Sequence, residues 1–304
     1  MIASGADELW VSAAGRIGAA CGWALKPLRK AGRARNERHT WLAQGEPGTV
    51  VVKALANPFA GQRAEWTLDA LSWLAARGYP VPEVLWQGGL DERWFLVVQT
   101  WLPGEPFPAL DESALNELLA LVDLQADHRL GPGGWDVSWW IGAVVFDGWE
   151  HWWEGAEAVA AETSERLRRF LRPAWGHRLP TADIVHGDLN LTNVLARDGR
   201  ITGVVDWDNV GRGSRALDLT SLLFDWHRQR LAGQTALAQD GGERLVRRII
   251  EIAGVAGLRC TVTYGAIARL ALGAQRGDRD DCETWRLVVD AILDLASTAE
   301  CEAR

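Results

Sequence analysis

The sequence predicts an α+β fold, β-rich in its first third and helical after Asp218. Three observations point that way. Short β-prone runs stand at residues 49–55 (TVVVKAL) and 94–101 (WFLVVQTW), each bounded by turn residues. Apolar residues recur at helical spacing over residues 245–256, 261–274 and 284–296. At 304 residues the chain can bury a sizeable core, as one large domain or two lobes.

Residues 1–30 are rich in Ala and Gly and leave room for an early helix. Residues 39–42, the turn Glu46-Pro47-Gly48 and residues 49–55 then read as a hairpin. Lys53 lies in the second strand, among valines, and must either find a partner or face solvent. Twelve residues later Glu65 stands in a helical pattern with Trp66, Ala70, Trp73 and Leu74 on one stripe, closed by Gly78. Pro80 and Pro82 punctuate the chain before a strand at residues 84–86. The strand at 94–101 runs into L-P-G-E, and a helix follows over residues 115–128, with Leu115, Leu118, Leu119 and Val122 on its apolar face.

Between Trp135 and Trp153 lie six tryptophans interleaved with Asp136, Asp147, Glu150, His151 and Glu154. Two readings stand side by side. Helical stripes of Trp bury themselves as core; rings mixed with carboxylates also suit flat or cationic ligands. On the second reading Asp147, Trp149, Glu150, Trp152 and Trp153 are candidate substrate contacts. The loop at residues 277–283 carries four acids within seven residues and reads first as a solvated helix start, where acids offset the helix dipole.

Composition narrows the function. A net charge of -8 offers no global field to draw nucleic acid or an anionic membrane. The four cysteines are scattered without a C-x-x-C pair, which argues for reduced thiols and a cytoplasmic location. No run of 18 apolar residues and no basic, apolar leader pattern occurs.

The chemistry is concentrated in IVHGDLNLTNVL, residues 184–195, and ITGVVDWD, residues 201–208. An apolar strand, a loop with Asp188 and Asn193 five residues apart, a second apolar strand and Asp206 supply the parts of phosphoryl transfer in order. Asp188 suits the base that takes the proton of an attacking hydroxyl. Asn193 and Asp206 offer hard oxygen ligands for magnesium.

This pattern resembles the aminoglycoside phosphotransferase and choline kinase-like family, marked by H-G-D-x-x-x-x-N and an apolar run ending in D-W-D. The likeness continues from Asp206 to Leu219, where Gly213 and Asp218 match while Ser214 and Arg215 replace an Asp and a Pro. The resemblance implies a protein-kinase-like two-lobed fold: a small antiparallel-sheet lobe over residues 1–102 and a larger, mainly helical lobe over 103–304. It implies a small-molecule kinase using Mg2+ and ATP or GTP, with Lys53 on the nucleotide phosphates tied to Glu65. Backbone groups of Thr100 and Leu102 would take the adenine edge. Gly32 and Asn36 loosely match the family's phosphate-covering loop, beside Arg33, Arg35 and Arg38. Asp218 would buttress the catalytic loop, and His186 would orient it. The acceptor class expected first is an antibiotic hydroxyl; aminosugars, choline-like alcohols and homoserine are the metabolic alternatives. An inactive binding module would have lost Asp188, Asn193 or Asp206, and all three are present.

Overall fold

A computed structural model describes residues 5–31, 38–56, 60–128, 135–147, 150–235 and 240–302. The chain divides into two compact units, Met1–Gly104 with Thr202–Asp208, and Glu105–Ile201 with Asn209–Arg304. The first unit thus runs to Gly104, two residues past 102, and also takes seven residues from late in the chain.

The first unit opens with helix α1 (Gly5–Cys21) and a five-stranded antiparallel sheet in the order β1-β2-β3-β5-β4. Its strands are β1 (Lys26–Ala31), β2 (Arg38–Gly45), β3 (Gly48–Leu55), β4 (Val84–Gly89) and β5 (Phe95–Thr100). The hairpin read from residues 39–55 is the β2–β3 pair, in register from Arg38 opposite Leu55 to Gly45 opposite Gly48. Side chains alternate along β3, so Val50, Val52 and Ala54 are fully buried in a core with Trp10, Ile17, Trp41, Leu96 and Val98. The same alternation turns Lys53 to the opposite face. Helix α2 (Ala60–Ala76) buries Ala70, Leu71 and Leu74 and ends at Gly78, whose φ of 82° closes the turn.

Thr202–Asp208 is stitched into this unit by several contacts. Val204 N–H donates to the Pro80 carbonyl at 2.7 Å, the Thr202 hydroxyl donates to the Pro103 carbonyl, and Trp207 meets Tyr79 edge-to-face at 5.6 Å. Gly203 is required here: a Cβ would stand 2.6 Å from Leu102 Cδ1.

The second unit is mainly helical. Its helices are α3 (Glu112–Leu124), α4 (Val137–Phe146), α5 (Glu150–Leu171), α6 (Ala216–Leu231), α7 (Gly241–Arg276) and α8 (Arg279–Glu302). Asp111 caps α3 by accepting from Ala114 N–H. Two short sheets follow: β8 (Val194–Arg197) lies between β6 (Glu105–Pro106) and β9 (Arg200–Val204), and β7 (Asp183–Val185) pairs with β10 (Gly211–Gly213). The strand after β8, β9 (Arg200–Val204), carries the chain back into the first unit.

The two helical runs expected at 245–256 and 261–274 both lie in α7, which breaks at Gly254 (φ 71°, ψ 174°), inside the first of them. Among the described helices α7 is long and apolar enough to cross a membrane. However, 61% of its most apolar stretch is buried, and it packs against α5, α6 and α8. Those properties suit the central helix of a folded unit. The acidic loop at 277–283 sits where a helix start was expected, with Asp280 and Asp281 in the first turn of α8.

Candidate active site

In the first unit the site is made of charge. Lys53 is 7% exposed, and its ammonium donates to Asp206 Oδ1 at 2.8 Å and to Asp208 Oδ1 at 2.9 Å. Burial alone would discharge the lysine; the two carboxylates outweigh it and hold the group charged, well above its ordinary range. Asp206 adopts φ 66°, a left-handed conformation that costs a non-glycine residue about 1–2 kcal/mol. Strain of this kind persists where surroundings fix a side chain for use.

Glu65 is exposed on α2, and among the described residues no ion pair joins it to Lys53. The expected partner is thus replaced by Asp206 and Asp208, because the downstream segment delivers two carboxylates to a lysine that a helix-surface glutamate does not reach. Thr100 N–H is engaged by the Glu83 carbonyl at 2.9 Å, so it is not the N–H offered to an adenine edge. Leu102 follows the end of β5, its side chain packed on Gly203. The expected phosphate-covering stretch, with Gly32, Arg33, Arg35 and Asn36, lies outside the described residues, as does the side chain of Arg38.

In the second unit the site is made of hydrogen bonds. β7 delivers the chain to His186, Gly187 and Asp188. Asp188 is exposed. Asn190 Nδ2 donates to Asp188 Oδ1 at 3.0 Å, and Asn193 Nδ2 donates to the Asp188 carbonyl at 2.9 Å. With its NH2 group turned to the loop, Asn193 has its amide oxygen on the other side, as a hard ligand requires. Gly187 takes φ 80°, where a Cβ would lie 2.7 Å from the Asn209 carbonyl oxygen.

Beneath the loop lie two acids of α6. Asp218 is fully buried and accepts from His186 N–H (2.8 Å), Gly187 N–H (3.0 Å) and Gln125 Nε2 (3.0 Å). Burial pushes its carboxyl up to about 7, against the pull of these donors. Asp225 accepts from Leu191 N–H at 2.8 Å. The two acids are seven residues apart, two helical turns, so one face of α6 braces both ends of the loop. His186 is buried and its Nδ1 accepts from Asp188 N–H at 3.2 Å, an orienting contact. At the departure from the family pattern, Arg215 binds Asp183 through its backbone N–H (3.1 Å) and its guanidinium (3.0 Å), which fixes the turn that Pro would otherwise fix.

The tryptophan-rich segment separates into parts. Trp140 Nε1 donates to the Tyr264 hydroxyl at 3.2 Å, and Trp135 lies 5.4 Å from Trp140. Trp139 is 61% exposed. Asp147 is the exposed C-cap of α4, and Trp152 is half-buried beside His151. Trp153 is buried beneath the Arg168 guanidinium at 4.3 Å. Trp149 and the Glu150 side chain lie outside the described residues. Sequence reasoning missed Asp208, Asn190, Asp225 and Tyr264. The signals were partly there: a second acid in D-W-D, and acids at i and i+7 in an otherwise apolar helix.

Residues 30–251 match the family model described as APH, the phosphotransferase enzyme family. The viomycin phosphotransferase of Streptomyces vinaceus is 30% identical over 73% of this chain and 80% of its own length. The hygromycin-B 4-O-kinase of Escherichia coli is 25% identical over 72% of this chain and 67% of its own. The solved structure of a thermostable mutant of aminoglycoside phosphotransferase APH(4)-Ia, a ternary complex with ADP and hygromycin B, superposes with a TM-score of 0.66. It is 19% identical and covers 93% of this chain and 98% of its own. With the kinase-like fold, the Asp188 loop and the Lys53–Asp206 pair in hand, the chain belongs to the phosphotransferase enzyme family, whose members are kinases of small molecules.

Proposed function

We propose that this enzyme transfers the γ-phosphoryl group of ATP or GTP to a hydroxyl of an antibiotic, and so confers resistance. The observation that carries the acceptor class is the pair of relatives matched over most of the chain, one acting on viomycin and one on hygromycin B. Homoserine, aminosugar and choline-like alcohols are the competing acceptors, and the acidic net charge of -8 is compatible with any cationic one.

Asp188 accepts the proton of the attacking hydroxyl as the new P–O bond forms and the bond between the γ-phosphorus and the β-phosphate oxygen breaks, releasing ADP or GDP. Its Asn190 contact and the braced loop hold the carboxylate in one orientation, which lowers the cost of reaching the reactive geometry. Asp206 and Asn193 supply one carboxylate and one amide oxygen, a donor set that fits Mg2+. The ion, when bound, neutralises charge on the phosphates. Lys53 adds a fixed positive charge, kept protonated by Asp206 and Asp208. Leu102 is the backbone position assigned to the adenine edge. The acceptor wall is assigned to the tryptophan-rich segment, in which Trp135, Trp140 and Trp152 are half-buried.

ADP or GDP release from the purified enzyme, screened with viomycin, hygromycin B, aminoglycosides, homoserine and choline, each with ATP and GTP and with and without Mg2+, tests the reading. Turnover confined to an antibiotic and dependent on Mg2+ is expected. Turnover only with homoserine or choline would replace the acceptor class and leave the kinase chemistry standing.

A further inference from the structure

The C-terminal end of α4, the helix α5 and the turn beyond it border a half-open cavity of about 440 Å³ within the second unit. That is the size of a small-molecule pocket. Its walls include Val145 and Phe146 from α4, Trp153 and Arg168 from α5, and Arg172 and Trp175 beyond. None of Asp188, Asn190, Asn193 or their braces Asp218 and Asp225 lines it.

Three features give the cavity its chemistry. The Arg168 guanidinium lies 4.3 Å from the centre of the Trp153 ring and is ion-paired with Glu157, so it is held in place with its charge balanced. Phe146 and Trp175 meet edge-to-face at 5.2 Å, and Trp175 is 67% exposed, a large ring kept at the rim. Arg172 is exposed on the same rim, and among the described residues no ion pair reaches it. Among the described residues no acid lines it. Aromatic walls thus stand beside two guanidinium groups, Arg168 paired with Glu157 and Arg172 on the rim with no ion pair among the described residues. Such a site takes a flat apolar body through ring contact and a single negative group through Arg172. A cationic ligand meets only repulsion from that rim.

We propose that this cavity is a second ligand site, for a planar aromatic carboxylate, distinct from the site at which Asp188 handles the phosphoryl acceptor. It goes beyond the reading of the enzyme as an antibiotic kinase and does not depend on it. The Trp153 ring then serves this cavity and not the acceptor wall.

Calorimetric titration of the full chain with 2-naphthoate and with 2-naphthylmethylamine tests the proposal. Saturable one-to-one binding of 2-naphthoate is expected, with the amine at least about tenfold weaker. Arg172→Gln and Trp175→Ala alter exposed side chains and should each weaken 2-naphthoate about tenfold, at an unchanged melting temperature. Asp188→Asn should bind it as wild type does. Equal affinity for the amine, no saturation by about 10 mM, wild-type affinity in both rim variants, or loss of binding in Asp188→Asn would each overturn it.

Discussion

In the first unit a buried ammonium, Lys53, is held between two carboxylates; in the second an exposed carboxylate, Asp188, is held by neutral amides of its own loop. The first arrangement carries structural load in the charges themselves. Removing Lys53 leaves Asp208, which is largely buried, without its counter-ion. The second places its load elsewhere, on Asp218 and Asp225 beneath the loop, so the working group is free of it. The lesson is that activity and stability should separate at Asp188 and should move together at Lys53.

The sharpest way to break that contrast is Asp188→Asn. It should lower kcat by about 10²- to 10⁴-fold while leaving the melting temperature unchanged. Activity within threefold of wild type would remove Asp188 from the mechanism. Lys53→Met should cost about 3–5 kcal/mol of stability, read by urea unfolding, together with a raised KM for the nucleotide. If stability is untouched, the Lys53 charge bears no load and the contrast fails.

The brace helix α6 can be probed through His227, which is buried on it with Nε2 unpartnered. Burial lowers its pKa from 6.5 to about 4. The unfolded chain therefore takes up the proton first. Stability from keeping the imidazole neutral is intact above pH 6.5 and is lost as pH falls towards 4, by up to about 3 kcal/mol. His227→Gln should flatten the dependence of unfolding free energy on pH across that window; an identical slope in both proteins would clear His227.

Asp218→Asn should follow, costing about 1–3 kcal/mol, since an amide NH2 then faces the backbone donors of His186 and Gly187. Its kcat should fall with the nucleotide KM little changed, and a rise in KM alone would contradict the bracing role. The smallest effect belongs to Glu65→Gln. An exposed glutamate that does not pair with Lys53 should leave kcat and nucleotide KM within about twofold. A fall comparable to Lys53→Met would show that the two residues meet during turnover.

Much of this was legible in the chain because kinase parts are local. Asp188, Asn193 and Asp206 are spaced by one loop and one hairpin, and the β2–β3 hairpin follows from alternation and a Pro-Gly turn. What could not be read were partners set by tertiary packing. Lys53 lies 155 residues from Asp208, and Trp140 lies 124 from Tyr264; no local rule links residues so far apart. The family pattern pairs the strand lysine with a glutamate of the next helix, but Glu65 is exposed and Lys53 binds Asp206 and Asp208. The aromatic segment was ambiguous for a related reason, since a ring stripe looks the same whether it packs on a neighbour, as Trp153 does under Arg168, or faces a ligand.

The return of Thr202–Asp208 to the first unit has a consequence for how the protein is made. On the ribosome the sheet and α2 emerge first, but the carboxylates for Lys53 arrive only after residues 105–201 have been synthesised. At typical elongation rates that interval is about 5–20 s. Throughout it the lysine has no Asp206 or Asp208 to bury against, and the nascent first unit must wait with that face unfinished. A polypeptide released before Thr202 would hold every strand of the sheet and still lack the counter-ions its buried lysine demands.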